Sequence, residues 1–63
     1  MAVLTVFVQN DFIEGAVPFY TAKKFQYVSG RAVKQLSKKA VRIAQKANGW
    51  PEADLSLDVQ IEK

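Results

Sequence analysis

Apolar and polar positions divide the chain into four blocks. Residues 2 to 9, Ala-Val-Leu-Thr-Val-Phe-Val-Gln, are mostly β-branched, aliphatic or aromatic, with no Gly or Pro. For so short a run this favours a strand over a helix. Nearly every side chain in it is apolar, so both faces need cover and the strand belongs at the centre of a sheet. Asn10, Asp11 and Gly15 then mark a turn. Phe12 and Ile13 lie inside it and are too apolar for a solvated loop. They are expected to pack back over the end of the sheet, with contact to a partner as the alternative.

Residues 17 to 28 alternate, with Val17, Phe19, Phe25 and Tyr27 sharing one face with Thr21 and Lys23. This reads as a second strand, and Pro18, which has no N–H for a ladder, puts it at an edge. A competing parse starts a helix at Ala22 with Thr21 as its cap, because Phe25, Val28, Ala32, Leu36 and Ala40 keep a spacing of three or four. The strand is preferred, since Tyr27, Val28, Ser29 and Gly30 make a poor helix interior. From Ser29 or Gly30 the helical period is plain: Ala32, Val33, Leu36, Ala40, Val41, Ile43, Ala44 and Ala47 form one apolar stripe. Asn48-Gly49-Trp50-Pro51 ends it, with glycine at a left-handed position, Trp50 as a clamp on the last turn and proline as a stop. The last block alternates strictly. Leu55, Leu57, Val59 and Ile61 fall on one face, and Asp54, Ser56, Asp58, Gln60 and Glu62 on the other.

The order strand, strand, helix, strand, with a right-handed crossover passing over the first strand, predicts an α+β fold. The expected architecture is ββαβ, a three-stranded antiparallel sheet in the order 2-1-3 with one long basic amphipathic helix on one face. Residues 1–63 make one small domain, of a size at which stability is marginal.

Charge sharpens this picture. Residues 17 to 48 hold eight of the nine Lys and Arg and none of the six Asp and Glu. Arg31, Lys34, Lys38, Arg42 and Lys46, with Lys39 beside them, project opposite the apolar stripe. They span about 22 Å of helix axis at 1.5 Å per residue. Lys23 and Lys24 add to the same cationic stretch. Like-charge neighbours four residues apart cost a helix about 0.2–0.5 kcal/mol each, whereas a solvated face usually mixes signs. A polyanion would reverse that term; solubility, or neutralisation by acids elsewhere in the fold, is the plainer explanation. One helix covers only one face of the sheet, which leaves Val3, Thr5 and Phe7 facing outward with Tyr20, Lys24 and Gln26. Val3, Phe7 and Tyr20 form a candidate partner or dimer face.

The candidate chemistry is sparse. There is no His and no Cys, which excludes disulfides, thiolate zinc sites and imidazole ligands. Asp54, Ser56 and Asp58 share a strand face, but alternate polar residues on a strand ordinarily form its solvated side, so no metal site is expected. Gly15, Gly30 and Gly49 are isolated and form no phosphate loop. The chain therefore reads as a binding protein without a cofactor and not as an enzyme. With no apolar run long enough to span a bilayer and no signal-like start, it reads as cytoplasmic with no membrane partner. Three partner classes follow: the phosphates of a nucleic acid, the acidic or nucleic-acid-binding surface of a protein complex, and neighbours in an assembly such as a virion or ribonucleoprotein, a homodimer included. The aromatic and glycine signature of RNA-recognition folds is absent, which makes dimerisation the better reading of the open sheet face. In its length, its strand-strand-helix-strand plan and its lack of catalytic chemistry, the chain resembles small phage-encoded inhibitors of host machinery, some anti-CRISPR proteins among them. That resemblance is one of plan alone, and it implies a protein target.

Overall fold

An apolar first strand needs a neighbour on each side, and β1 (Ala2–Asn10) has both: β2 (Phe19–Phe25) on one edge and β3 (Leu55–Glu62) on the other, each antiparallel to it. The computed structural model describes all 63 residues. Helix α1 (Gly30–Asn48) crosses from β2 to β3 over one face, and a 3-10 turn at Glu52–Asp54 leads into β3. The sheet order β2-β1-β3 and the ββαβ arrangement agree with the expectation.

Two caps set the limits of α1. Ser29, in extended backbone, accepts a hydrogen bond at its hydroxyl from the Ala32 amide at 3.2 Å, satisfying one of the free N–H groups of the first turn. Gly49 takes φ 70° and donates its amide to the Gln45 carbonyl at 2.7 Å, so the chain leaves the helix in a left-handed turn. Residues 22–28 are therefore not the start of the helix.

The core is small and lies between β1 and α1. Leu4, Val6 and Val8 are fully buried against Leu36, Ala40 and Ala44. Alanine at two of the three central helix positions lets the backbone of α1 approach the sheet closely. Phe19 and Phe25 of β2, Val28, Val33, Val41 and Leu55 pack around this centre.

Three expectations need correcting. β2 is shorter than residues 17 to 28, because β1 supplies partners only from Ala2, opposite Phe25, to Val8, opposite Phe19. Val17, Gln26 and Tyr27 lie outside the strand and are exposed. Phe12 and Ile13 do not fold back over the sheet: they are 75% and 48% exposed. Buried Asn10 is the cause, since its side-chain oxygen accepts the amides of Phe12 at 2.8 Å and Ile13 at 3.0 Å. The chain is thereby turned within three residues of the strand end. Ala47, placed on the apolar stripe, is exposed in the last turn of the helix.

With so few fully buried side chains, each one matters. Leu4→Ala should cost about 2–5 kcal/mol, enough to unfold most of the population of a domain this size. Gly49→Ala should cost about 1–2 kcal/mol from the left-handed backbone alone, because nothing lies within 4 Å of an added Cβ. Gly30→Ala, with equal space and ordinary backbone, should not lose stability. Urea unfolding of the three variants followed by circular dichroism checks the order.

Candidate binding surfaces

All six cations of α1 are exposed: Arg31, Lys34, Lys38, Lys39, Arg42 and Lys46. At 100° per residue they occupy an arc of about 140° centred opposite Ala40. None of the seven side-chain hydrogen bonds in the protein involves a lysine or an arginine. In sequence the acids lie outside residues 17–48, and none shares a side-chain hydrogen bond with these cations, although Glu52 lines a groove beside three of them. Asp11 accepts from Ser56 at 2.9 Å and from Gln9 at 3.4 Å, and Asp58 accepts from Gln60 at 3.2 Å.

The helix divides its cations between two flanks. Towards β3, Lys34, Lys38 and Arg42 line a groove of about 410 Å³ together with Val41, Leu57 and Glu52. Towards β2, Lys39 lines a smaller hollow of about 150 Å³ with Phe25 and Lys23. Lys23 belongs to this flank by register, being paired with buried Leu4, and its ammonium stands 5.5 Å from the centre of the Phe25 ring. Lys24 does not join the set. Its register partner is Val3, which puts it on the opposite face of the sheet.

That opposite face carries the other predicted surface. Val3, Thr5 and Phe7 are half-buried there, and Tyr20, directly across from Phe7, is 64% exposed. The two rings lie 5.8 Å apart at 38°, the tilted arrangement aromatic pairs favour. Each row of this face ends in opposite character: Lys24, Val3 and Glu62 are in register, as are Tyr20, Phe7 and Asp58.

The apolar row of β3 is the feature that reading the chain misses. Leu57, Val59 and Ile61 stand directly beside fully buried Val8, Val6 and Leu4, on the helix side of the sheet. They nevertheless remain 47%, 38% and 49% exposed. The signal was available in the strict alternation of β3, combined with the fact that one helix is too narrow to cover three strands.

No helix is long and apolar enough to cross a membrane, and no three acidic residues come together in a set that can hold a metal ion. Comparison of the chain with protein families, characterised proteins and solved structures finds no match.

Lys38 has Lys34 and Arg42 one turn away on either side, and both pairs are like-charged. Lys38→Glu turns two repulsions into attractions and should raise the stability of the isolated protein by about 1 kcal/mol at low salt. The gain should largely vanish in 1 M salt, where the screening length falls to about 3 Å. Thermal unfolding of the variant and the parent protein at both salt concentrations checks this.

Proposed function

We propose that this is a small non-enzymatic protein that docks the cationic face of α1 on a polyanion, with the phosphate backbone of a nucleic acid as the first candidate. The reading rests on one observation: six exposed cations follow one side of a helix with no hydrogen bond to any carboxylate. Releasing the counterions condensed on phosphates favours such a surface, and clustered like charges that weaken the free protein then become attractive. Only Gln35 and Gln45 are available on α1 for amide contacts to base edges, so binding is expected to follow phosphate density with little regard to sequence. Lys23 extends the face through Lys39, and Lys24 stays out of it. The proposed setting is the cytoplasm.

A second reading takes the acidic surface of a protein complex as the target, as the likeness in plan to phage-encoded inhibitors implies. The observation favouring it is the exposed row Leu57, Val59 and Ile61 beside the cations, for which a phosphate backbone has no use. The pairing of half-buried Phe7 with exposed Tyr20 favours self-association through the open face of the sheet, alone or within an assembly.

Titration of the protein into labelled duplex DNA and single-stranded RNA tests the first reading. With four to six phosphates engaged, log Kobs should fall against log salt with a slope of about −3.5 to −5.5 on duplex DNA and about −3 to −4 on single-stranded RNA. Lys38→Glu with Arg42→Glu should keep the fold, weaken binding at least about tenfold and flatten the slope by about 2. Unchanged binding by that folded double variant, or no binding at low salt by the parent protein, would overturn it.

A further inference from the structure

The helix-side row of β3 meets the basic flank of α1 at Leu57, in one groove, and phosphate binding accounts for only one of its two walls. Its floor is Leu57, from which Val59 and Ile61 continue the row along β3; its wall carries Val41 with Lys34, Lys38 and Arg42, and Glu52 is the one acid on the lining, which leaves the groove net cationic. Past Ile61 the apolar surface continues over Tyr27 and Met1 at the end of the sheet. The exposure has a plain cause. Strand axes lie about 4.8 Å apart and a helix is about 10 Å wide with its side chains, so α1, seated over β1, only reaches the outer strands: Leu55 of β3 packs on the core while Leu57, Val59 and Ile61 stay partly uncovered. Phe19 and Phe25 of β2 are partly buried against the core, whereas Leu57, Val59 and Ile61 keep about two fifths or more of their surface in water.

The geometry points to this groove as the docking site for an acidic amphipathic helix of a partner protein, laid beside α1 over β3. A helix packed 8–10 Å from α1 comes to rest along the outer side of β3, against its partly covered row, and extends the layer that one helix leaves unfinished. The floor from Leu57 to Ile61 is about 14 Å long, matching about nine residues, or two and a half turns, of helix. Charge decides the occupant. Glu or Asp along one flank of the incoming helix meets Lys34, Lys38 and Arg42, while its apolar stripe covers the floor. A second copy of this chain fails that condition, since it would bring the same three cations against themselves. A nucleic acid supplies the charge and leaves three aliphatic side chains in water. The electrostatic half of this inference rests on the reading of α1 as a polyanion-binding face; the apolar floor stands independently of it.

The test uses the intact protein and a synthetic helical peptide of about 16 residues, with Leu at every third or fourth position and Glu along one flank. A scrambled peptide of identical composition and duplex DNA serve as the other titrants. The amphipathic peptide should bind about tenfold or more tightly than its scramble, the scale set by burying three half-exposed aliphatic side chains. Amide resonances of Val41 and of residues 57–61 should shift on titration, and those of Val3 and Phe7 should not. Leu57→Ser with Ile61→Ser, both surface positions, should bring the two peptides to equal affinity and leave the DNA titration as it was. Equal binding of both peptides by the parent protein, or shifts confined to the helix, would overturn the inference. Selective peptide binding without any DNA binding would uphold it while removing the nucleic-acid reading.

Discussion

Everything in this protein hangs on the seat of one helix on one strand. Leu4, Val6 and Val8 of the central strand are the only large side chains taken wholly out of water, and they are held there by Leu36, Ala40 and Ala44. The two alanines bring α1 close to the sheet, which strengthens dispersion at the contact and also narrows the helix's reach. A close helix shields its own strip of sheet well and its surroundings poorly. The four residues from Gln26 to Ser29 tether the start of α1 to β2, and the two phenylalanines of β2 fill that side. The cost appears on β3, whose apolar row remains half in water.

The charge pattern follows from the same seat. With the buried side of α1 set at Leu36, Ala40 and Ala44, the cations necessarily take up the opposite arc and both of its shoulders. On the β3 shoulder three of them share a groove with Leu57, Val41 and Glu52, and on the β2 shoulder Lys39 shares a hollow with Lys23 and Phe25. The protein therefore offers two chemically different cationic surfaces: a broad outer arc suited to phosphates, and a groove suited to an acidic group that also has apolar surface to bury. The open sheet face, with Phe7 and Tyr20 towards one end and charges of both signs at its margins, is a third surface without net cationic character.

Much of the fold was legible along the chain because its signals are local or follow from simple counting. Ser29, Gly49 and Pro51 punctuate the helix through backbone geometry, and the uniform apolarity of residues 2 to 9 demands a central strand. The length of β2 was misjudged because alternation persists beyond the point where β1 can supply a partner, and pairing is a property of two strands. Phe12 and Ile13 were misjudged because hydrophobicity predicts burial only if the loop can reach the core, and the turn closed by Asn10 prevents it. The cationic residues of α1 could be named from their spacing, whereas the separation of Lys23 from Lys24 needed the register of the sheet.

By itself the amino-acid sequence determined which segments are strands and which is helix, their order in the sheet, the absence of histidine and cysteine chemistry, and the concentration of positive charge on α1. These depend on period, propensity and composition, which are written residue by residue. It took the packing of helix on sheet to leave the apolar row of β3 partly uncovered and to bring Lys34, Lys38 and Arg42 to one groove with Leu57. That outcome depends on where the helix settles across the sheet, a balance of close packing against width that no single segment contains.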